Sequence, residues 1–295
     1  MSGTGGLEAE WTEPQSLRVT HLTCYTYEGE VWDSYNEARL MPVSDTAQRC
    51  ERFFLRTEPS AIVRDFPDLH GNCVHYFDVL KPHRVLEVES NSLVQTNADT
   101  RGAVPFLNAP AELKNSDVQE TCFEFLNASK FVSLQAEIWH EAMDALPGGL
   151  TDVWQDVLAV GQHIHQTFTY TPRFTTVNTQ PVEVVKSRRG VCQDFAHIML
   201  GICRTHGIPA RYVSGYFFNP NHAPDEIEAS HAWIEVYLPG YGWKGFDPTH
   251  NRVPDTRYVK IAVGRDYADI KPVSGTFRGN PMRQMIVEVR IRREA

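Results

Sequence analysis

The chain has 295 residues, of which 42% are hydrophobic, so it can bury the cores of one large or two ordinary domains, and we predict two. Its formal net charge of −9 argues against a surface for nucleic acid or for an anionic membrane, because binding to phosphate depends on clustered lysine and arginine. A run of about 18 apolar residues and a signal-peptide pattern at the start are both missing. We therefore expect a cytoplasmic protein without a nucleic-acid or membrane partner.

The first part of the chain is predicted to be a β domain. Residues 1–15 are Gly-rich at the start and are expected to form a mobile tail, whereas residues 16–96 contain short apolar segments such as LRVTHLTCYTY and NCVHYFDVL. Turn residues separate these segments at the spacing that is typical of an all-β sandwich or barrel. We predict a sandwich-like N-terminal domain.

Helices are predicted to follow a polar, proline-containing connection at residues 97–126. In the core at residues 127–262, apolar residues repeat at helical spacing from Phe131 to Ala145, and Asp152 can cap a second helix. A short helix over residues 182–188 and a longer one that begins within RRGVCQDFAH come next. Strands ARYVSGYFF, HAWIEVYL and WKGF complete an α+β core, and residues 263–295 form an extension with a last strand, MIVEVRIR.

Cys192 lies in the first turn of the helix that begins within RRGVCQDFAH. Unpaired backbone N–H groups and the positive end of the helix dipole favour an anion there, and the thiolate is the nucleophilic form of cysteine. The backbone N–H of Cys192 could also bind the oxygen of an attacked carbonyl group. Gly190 is expected to leave room for the substrate, and Asp194 is better explained as a favourable first-turn carboxylate than as a catalytic group. A buried, inert cysteine is the alternative.

The segment SHAWIEVYLPGYGWKGFDPTH supplies two further groups, His231 and Asp247, on neighbouring predicted strands. A tight two-residue turn at Pro-Gly would aim Asp247 at the wrong face of the sheet. One extra residue, at Gly242 or Gly245, would place Asp247 opposite Trp233, on the same face as His231 and within reach of it. His231 would then take the thiol proton, and Asp247 would fix the tautomer of the imidazole. Trp233 is expected to shield this pair and line the cleft, or to be a core residue.

The motifs FTYTP, RRGVCQDFAHIMLGICRTHGIPARYVSGYFF and ASHAWIEVYLPGYGWKGFDPTH occur in this order between Thr167 and His250. This stretch closely resembles the core of bacterial transglutaminase-like proteins, a branch of the papain-like cysteine enzymes. The stretch from Arg18 to Ser90, with GNCVHYFDV, resembles the β-rich N-terminal domain of the same proteins. GRDYADIKPVSGTFRG, from Gly264, resembles the segment that follows their core.

The resemblance implies that Cys192 is the nucleophile, His231 the general base and Asp247 its orienting partner. By analogy Tyr170 of FTYTP lines the cleft, although a core aromatic residue is an equal alternative. The expected substrate is an amide of a peptide or protein. Release of the acyl-enzyme by water would make a thiol peptidase or amidase, which we favour, and release by an amine would make a transglutaminase. A non-catalytic interaction protein that retains the fold is the third alternative.

No cofactor and no metal ion are predicted. Cys73 and His75 share one face of a strand, but a third ligand is not in view. Cys192 and Cys203 would be separated by about 16 Å along one helix, which is too far for them to share an ion. The six cysteines are scattered without a CxxC pair, so we expect mostly free thiols, as in a reducing compartment. No oligomeric state is predicted.

Overall fold

The computed structural model describes residues 11–99, 101, 104, 109–223, 226–227 and 229–294. Most of the predicted tail at residues 1–15 therefore lies outside the described residues. The described strands are β1 (Gln15–Ala38), β2 (Gln48–Glu58), β3 (Arg64–Pro67), β4 (Cys73–Val79), β5 (His83–Thr96), β6 (Thr169–Tyr170), β7 (Arg189–Gly190), β8 (Ala210–Phe217), β9 (His231–Leu238), β10 (Gly242–Phe246), β11 (Tyr258–Gly264), β12 (Val273–Gly279) and β13 (Met282–Arg293). The described α-helices are α1 (Ser116–Thr121), α2 (Ala136–Ala145), α3 (Val153–Thr167), α4 (Pro181–Ser187) and α5 (Cys192–Thr205).

The long strand β1 organises the N-terminal domain. Its first half lies between β5 and β13, and its second half lies between β4 and β12, all antiparallel. Buried residues of β1, β4 and β5, including Val31, Phe77 and Val88, form a hydrophobic cluster of their own. The predicted N-terminal β domain is confirmed, with its strands in one seven-stranded sheet, and the predicted segment LRVTHLTCYTY lies within a strand that continues to Ala38.

The C-terminal segment returns to the N-terminal sheet. β13 pairs with β1 from Leu17 to Tyr27, and its buried residues Val289 and Ile291 join the main hydrophobic core together with Leu17. The predicted last strand is therefore present. Strand β12, which precedes it, was not predicted because VSGTFRG contains two glycines and is mostly exposed.

The core domain places helix α5 between a sheet and other helices. The sheet has the order β10-β9-β8-β11, and α5 contacts β8 and β9 as well as α2, α3 and α4. Most residues of α5 after Gln193 are consequently buried, including the polar residues Asp194, His197 and Arg204. Asp152 caps α3 by accepting hydrogen bonds from two backbone N–H groups, as predicted.

One predicted helix boundary is wrong. Helix α2 begins at Ala136, whereas the apolar spacing predicted a start near Phe131. The backbone N–H of Phe131 donates instead to Asp266 Oδ2 at 2.7 Å, and its ring stacks on His197 at 5.5 Å between ring centroids. These tertiary contacts hold the segment outside the helix and override its periodicity.

In the described part of the chain, no helix is both long enough and apolar enough to cross a membrane. All six cysteines are free thiols, as the sequence predicted.

Candidate active site

The start of α5 is fixed by a short parallel pair of strands. Tyr170 of β6 pairs with Gly190 of β7, and the backbone N–H of Thr171 donates to the carbonyl oxygen of Gly190 at 2.8 Å. Cys192 follows two residues later as the first residue of α5, and it is half-buried. The backbone N–H groups of Cys192 and Gln193 belong to the first turn, where no intrahelical acceptor exists. The predicted placement of the cysteine at a helix start is confirmed.

Asp194 has a structural position under this turn. Its carboxylate accepts hydrogen bonds from the backbone N–H of Val191 at 2.8 Å and from Thr175 Oγ1 at 2.6 Å. Burial raises its pKa, although both hydrogen bonds oppose that effect. A Cβ atom on Gly190 would lie 2.8 Å from Asp194 Oδ2 and 3.1 Å from Val184 Cγ1. The expectation that Gly190 leaves room for a substrate is therefore corrected, because the space beside it is filled by the protein itself.

His231 and Asp247 meet at the ends of strands β9 and β10. His231 Nε2 lies 2.7 Å from Asp247 Oδ2. Phe246 pairs with Ile234, so Asp247 comes opposite Trp233, which is the register predicted for one extra residue. The extra residue belongs to the turn, because Leu238 pairs with Gly242.

Glycine supports this longer turn. The backbone N–H of Tyr241 donates to the carbonyl oxygen of Leu238 at 3.0 Å, and Gly240 and Gly242 have φ angles of 75° and 93°. Such positive angles favour glycine at both positions. Gly245, the other predicted place for the extra residue, pairs regularly with Glu235.

Asp247 is fully buried and accepts hydrogen bonds from several groups. Besides His231, its Oδ2 atom contacts His250 Nδ1 at 2.7 Å and the Tyr258 hydroxyl group at 2.8 Å. Its Oδ1 atom accepts the backbone N–H of Thr249 at 2.8 Å. Burial acts to raise the pKa of Asp247, but the charges and hydrogen bonds of the two histidines outweigh it and hold that pKa far below its usual range. The carboxylate is therefore ionised at neutral pH.

The contact with Asp247 holds His231 in its charged form. Burial alone would lower its pKa, yet the Asp247 carboxylate and a smaller hydrogen-bonding contribution from Cys192 raise it to about 10. Because Nε2 faces Asp247, the other ring nitrogen, Nδ1, is the one available to the thiol. The structure thus brings Cys192, His231 and Asp247 together in the predicted order.

Sequence reasoning missed two partners of this group, His250 and Tyr258. His250 lies within the motif DPTH, three residues after Asp247, so its proximity was visible as a turn spacing. Tyr258 begins strand β11, on the other side of β8 from β9, and no local pattern pointed to it.

Trp233 lies behind the imidazole rather than in the cleft. Its ring stacks on His231 at 6.0 Å between centroids with an interplanar angle of 30°, and only 2% of the residue is exposed. Trp233 lines a different cavity of about 480 Å³, whose charged residues include the paired Arg211 and Glu235. Its predicted substrate-binding role is corrected to shielding, because it lies about 7 Å deeper along β9 than His231.

A cavity of about 330 Å³ opens over Cys192 and His231. Tyr170 lines it and is 50% exposed, so its predicted position in the cleft is confirmed. Gln193 and Ser230 also line this cavity. Its volume is within the range of small-molecule and peptide-side-chain sites, which begins at about 300 Å³.

Among the described residues, His231, Asp247 and His250 are the one group whose ligand atoms could together approach a metal ion. Each histidine nitrogen lies 2.7 Å from Asp247 Oδ2. Ligands of a tetrahedral zinc ion with bonds of about 2.0 Å are separated by about 3.3 Å. The three side chains would have to move apart to hold such an ion, and His231 would then no longer serve as a base.

Comparison with known proteins agrees with this geometry. Residues 142–248 match the family profile of the transglutaminase-like superfamily, and residues 17–95 match that of the bacterial transglutaminase-like N-terminal region. An uncharacterised protein of Mycobacterium tuberculosis is 34% identical over 304 aligned residues, which cover 97% of this chain and 95% of the relative. The chain belongs to the bacterial transglutaminase-like family.

Two further comparisons place this transglutaminase-like chain among known proteins. The crystal structure of a proposed cysteine protease from Cytophaga hutchinsonii has the same fold, with a TM-score of 0.72, 24% identity and coverage of 94% of this chain and 91% of the other. A protein-glutamine gamma-glutamyltransferase of Pseudomonas aeruginosa is 34% identical over 98 residues, which are 31% of this chain and 15% of that protein.

Proposed function

We propose that this transglutaminase-like protein is a cysteine-dependent acyl-transfer enzyme that hydrolyses a peptide or amide bond through a thioester on Cys192. The observation that carries the proposal is the buried contact of His231 with both the Asp247 carboxylate and the Cys192 thiol. A cysteine at a helix start gains catalytic meaning only when such a base is present.

Proton transfer from the Cys192 thiol to His231 precedes the attack and leaves His231 as the imidazolium that Asp247 stabilises. The thiolate sulfur then attacks the carbonyl carbon of the substrate. The oxygen of the tetrahedral intermediate is stabilised by the first-turn N–H groups of Cys192 and Gln193. His231 then gives its proton to the leaving amine, and the C–N bond breaks to form the thioester. Asp247 stabilises the imidazolium during both proton transfers.

Water is the favoured acceptor of the acyl group. Cys192 is half-buried and Tyr170 is half-exposed, so solvent reaches the thioester from the cavity. His231 takes a proton from water, the hydroxyl oxygen attacks the thioester carbon, and the C–S bond breaks to release the acid and to leave the Cys192 thiolate beside the His231 imidazolium. An amine that binds well in the cavity would give a transglutaminase instead, and the name of the Pseudomonas relative favours this as the second candidate.

Residue-resolved alkylation tests the proposal. Burial raises the pKa of each of the other five cysteine thiols, to about 11 for Cys122 and about 12 for Cys203. Iodoacetamide at neutral pH is therefore expected to label Cys192 well ahead of the others, and His231→Ala is expected to slow that labelling. Equal, slow labelling of all accessible cysteines would instead support the non-catalytic alternative.

A separate experiment tests whether water or an amine accepts the acyl group. A peptide library that includes glutamine-containing members is offered to the enzyme with and without a primary amine, and the products are identified by mass spectrometry. New carboxylic acid is the expected product, and Cys192→Ala is the matched control. Amine adducts that exceed the acid would make the enzyme a transferase.

The cytoplasm is the location that we propose for this enzyme. Six free thiols suit a reducing compartment, where disulfides are rare.

A further inference from the structure

A strained turn overhangs the nucleophile. The backbone N–H of Phe174 donates to the carbonyl oxygen of Thr171 at 3.3 Å, which closes a β-turn with Pro172 and Arg173 at its centre. Arg173 has a φ angle of 60°. Proline followed by a residue with positive φ is the pattern of a type II turn, in which glycine or asparagine is preferred at the second position. An arginine there costs on the order of 1 kcal/mol of backbone strain, so the turn itself does not explain this side chain.

The turn is fastened to the nucleophile helix on both sides. Thr171 donates its backbone N–H to Gly190, two residues before Cys192, at 2.8 Å. Thr175 donates its hydroxyl group at 2.6 Å to Asp194, in the first turn of α5. Arg173 lies midway between these two attachments. Its backbone is therefore held in a fixed relation to Cys192.

Arg173 brings a positive charge to the cavity of Cys192. It lines that cavity, and it is the only arginine, lysine, aspartate or glutamate among the described residues that do so. No hydrogen bond or ion pair ties its guanidinium group to another described residue. The neighbouring arginines differ, because Arg188 pairs with Glu141 and Arg189 lies over the Phe174 ring at 4.2 Å.

We infer that Arg173 is a specificity-determining residue that binds a carboxylate of the substrate next to the scissile amide bond. The inference rests on the proposed function and names the substrate class as an amide or peptide that carries a carboxylate near the reacting carbonyl. An unpaired guanidinium group presents planar donors that match a carboxylate in two-point contact. In a chain with a net charge of −9, it also supplies local attraction for an anionic substrate that the rest of the protein repels.

Two alkylating reagents of nearly equal size test this inference at Cys192. Iodoacetate carries a carboxylate, whereas iodoacetamide carries a neutral amide, and both react with the same sulfur. The quantity measured is the ratio of the two second-order rate constants at Cys192, followed by mass spectrometry of its peptide. Any general change in the reactivity of the thiol cancels in this ratio.

Arg173→Gln is expected to lower the iodoacetate-to-iodoacetamide ratio by about fivefold, the size expected for one solvent-accessible ion pair of about 1 kcal/mol. Arg173→Lys is expected to give a ratio between those of wild type and Arg173→Gln, because it retains the charge but loses the two-point contact. Lys186→Gln, which removes an exposed charge from α4 outside the cavity, is the matched control and is expected to leave the ratio unchanged. The effect of Arg173 is also expected to shrink in 1 M salt.

Arg173→Gly excludes a folding artefact, because glycine adopts the positive φ angle without strain. This variant is expected to melt no lower than wild type by calorimetry and still to lose the preference for iodoacetate. An unchanged ratio in Arg173→Gln and Arg173→Gly would overturn the inference. Failure of the proposed function is distinguishable, since it would appear as slow reaction of Cys192 with iodoacetamide in the wild type, whatever the ratio.

Chloroacetyl reagents determine whether the substrate carboxylate that Arg173 binds belongs to an acidic side chain or to a chain terminus. Chloroacetyl-aspartate α-amide and its asparagine isostere test an acidic side chain, and chloroacetyl-glycine and its amide test a terminal carboxylate. The pair whose acid-to-amide ratio falls in Arg173→Gln identifies the source. If neither ratio depends on Arg173, carboxylate recognition by this residue is refuted.

Discussion

Asp247→Asn is the substitution that removes the charge from the proposed triad with the least change in shape. Asparagine keeps the size of the side chain and one oxygen atom, but it loses the negative charge that lies 2.7 Å from His231 Nε2. The carboxylate is what outweighs burial and raises the pKa of His231 to about 10. Without it burial remains, so we expect the pKa of His231 to fall below its ordinary value of 6.5.

The size of the effect follows from this change. A fall from about 10 to below 6.5, at about 1.4 kcal/mol for each tenfold change, removes roughly 5 kcal/mol of support for the imidazolium. This figure lies at the upper end of the range of about 3–5 kcal/mol for breaking a buried ion pair. Since the reactive thiolate depends on this imidazolium, we expect acylation of Cys192 to slow by up to about 10³- to 10⁴-fold.

Nuclear magnetic resonance titration of the imidazole of His231 measures the change directly. The wild-type ring is expected to remain charged from pH 5 to pH 9, whereas the Asp247→Asn ring is expected to titrate below 6.5. Asp117→Asn removes an exposed carboxylate from helix α1 and serves as the control, with no effect on His231. A wild-type His231 that titrates near 6.5, or one that titrates alike in both proteins, would refute the reasoning.

The ion pair of His231 and Asp247 also predicts how the free energy of unfolding depends on pH. The pKa of His231 is raised above its unfolded value, so its contribution is complete below 6.5 and is lost as the pH rises through about 10. The pKa of Asp247 is lowered, so its contribution is present above 3.8 and is lost only in strong acid. Asp247→Asn is therefore expected to remove most of the alkaline dependence of the free energy of unfolding between pH 6.5 and 10, measured by urea denaturation.

Three further predictions concern other residues. Tyr258→Phe removes one hydrogen-bond donor from Asp247 while conserving volume. It is expected to slow alkylation of Cys192 less than tenfold and to cost about 1.5–3 kcal/mol of stability, measured by urea denaturation. A fall in the alkylation rate as large as that of Asp247→Asn would contradict this. Gly161→Ala places a Cβ atom 2.0 Å from the ring of Phe246 in β10 and is expected to destabilise the fold by about 1–3 kcal/mol. Gly148→Ala, whose Cβ atom meets no atom within 4 Å, is the control in calorimetry. Equal melting temperatures of the two variants would refute the packing argument. Burial lowers the pKa of His21 to about 4, so the free energy of unfolding is expected to fall by up to about 3 kcal/mol from pH 6.5 to pH 4. His21→Gln is expected to weaken this dependence on pH. An equal dependence in both proteins would show that His21 is not its cause.

Local patterns were sufficient for the elements that carry the predicted triad. The residues of RRGVCQDFAH predicted the start of α5, and this start placed Cys192 in its first turn. The segments HAWIEVYL and WKGF on either side of a Pro-Gly turn predicted the hairpin, and counting residues gave the register of Asp247 with one assumed extra residue. These features depend on neighbours in sequence, and they are the ones that sequence spacing can specify.

Features that depend on distant parts of the chain were not predictable in the same way. Tyr258 reaches Asp247 only because β11 pairs with β8, and Phe131 leaves its predicted helix only because Asp266 binds its backbone. Gly190 looked like space for a substrate until the side chain of Asp194 was placed beside it. The return of β13 to β1 joins segments about 260 residues apart, a pairing that no local periodicity encodes.

Acyl-enzyme formation on Cys192 is the central claim, and p-nitrophenyl acetate tests it without knowledge of the natural substrate. Rapid mixing is expected to release one equivalent of nitrophenolate per chain in a burst, with an acetyl group on the Cys192 peptide by mass spectrometry, followed by slower hydrolysis. Cys192→Ala is expected to show neither burst nor acetylation. Wild-type protein without a burst, or with acetyl groups spread evenly over several cysteines, would contradict the account.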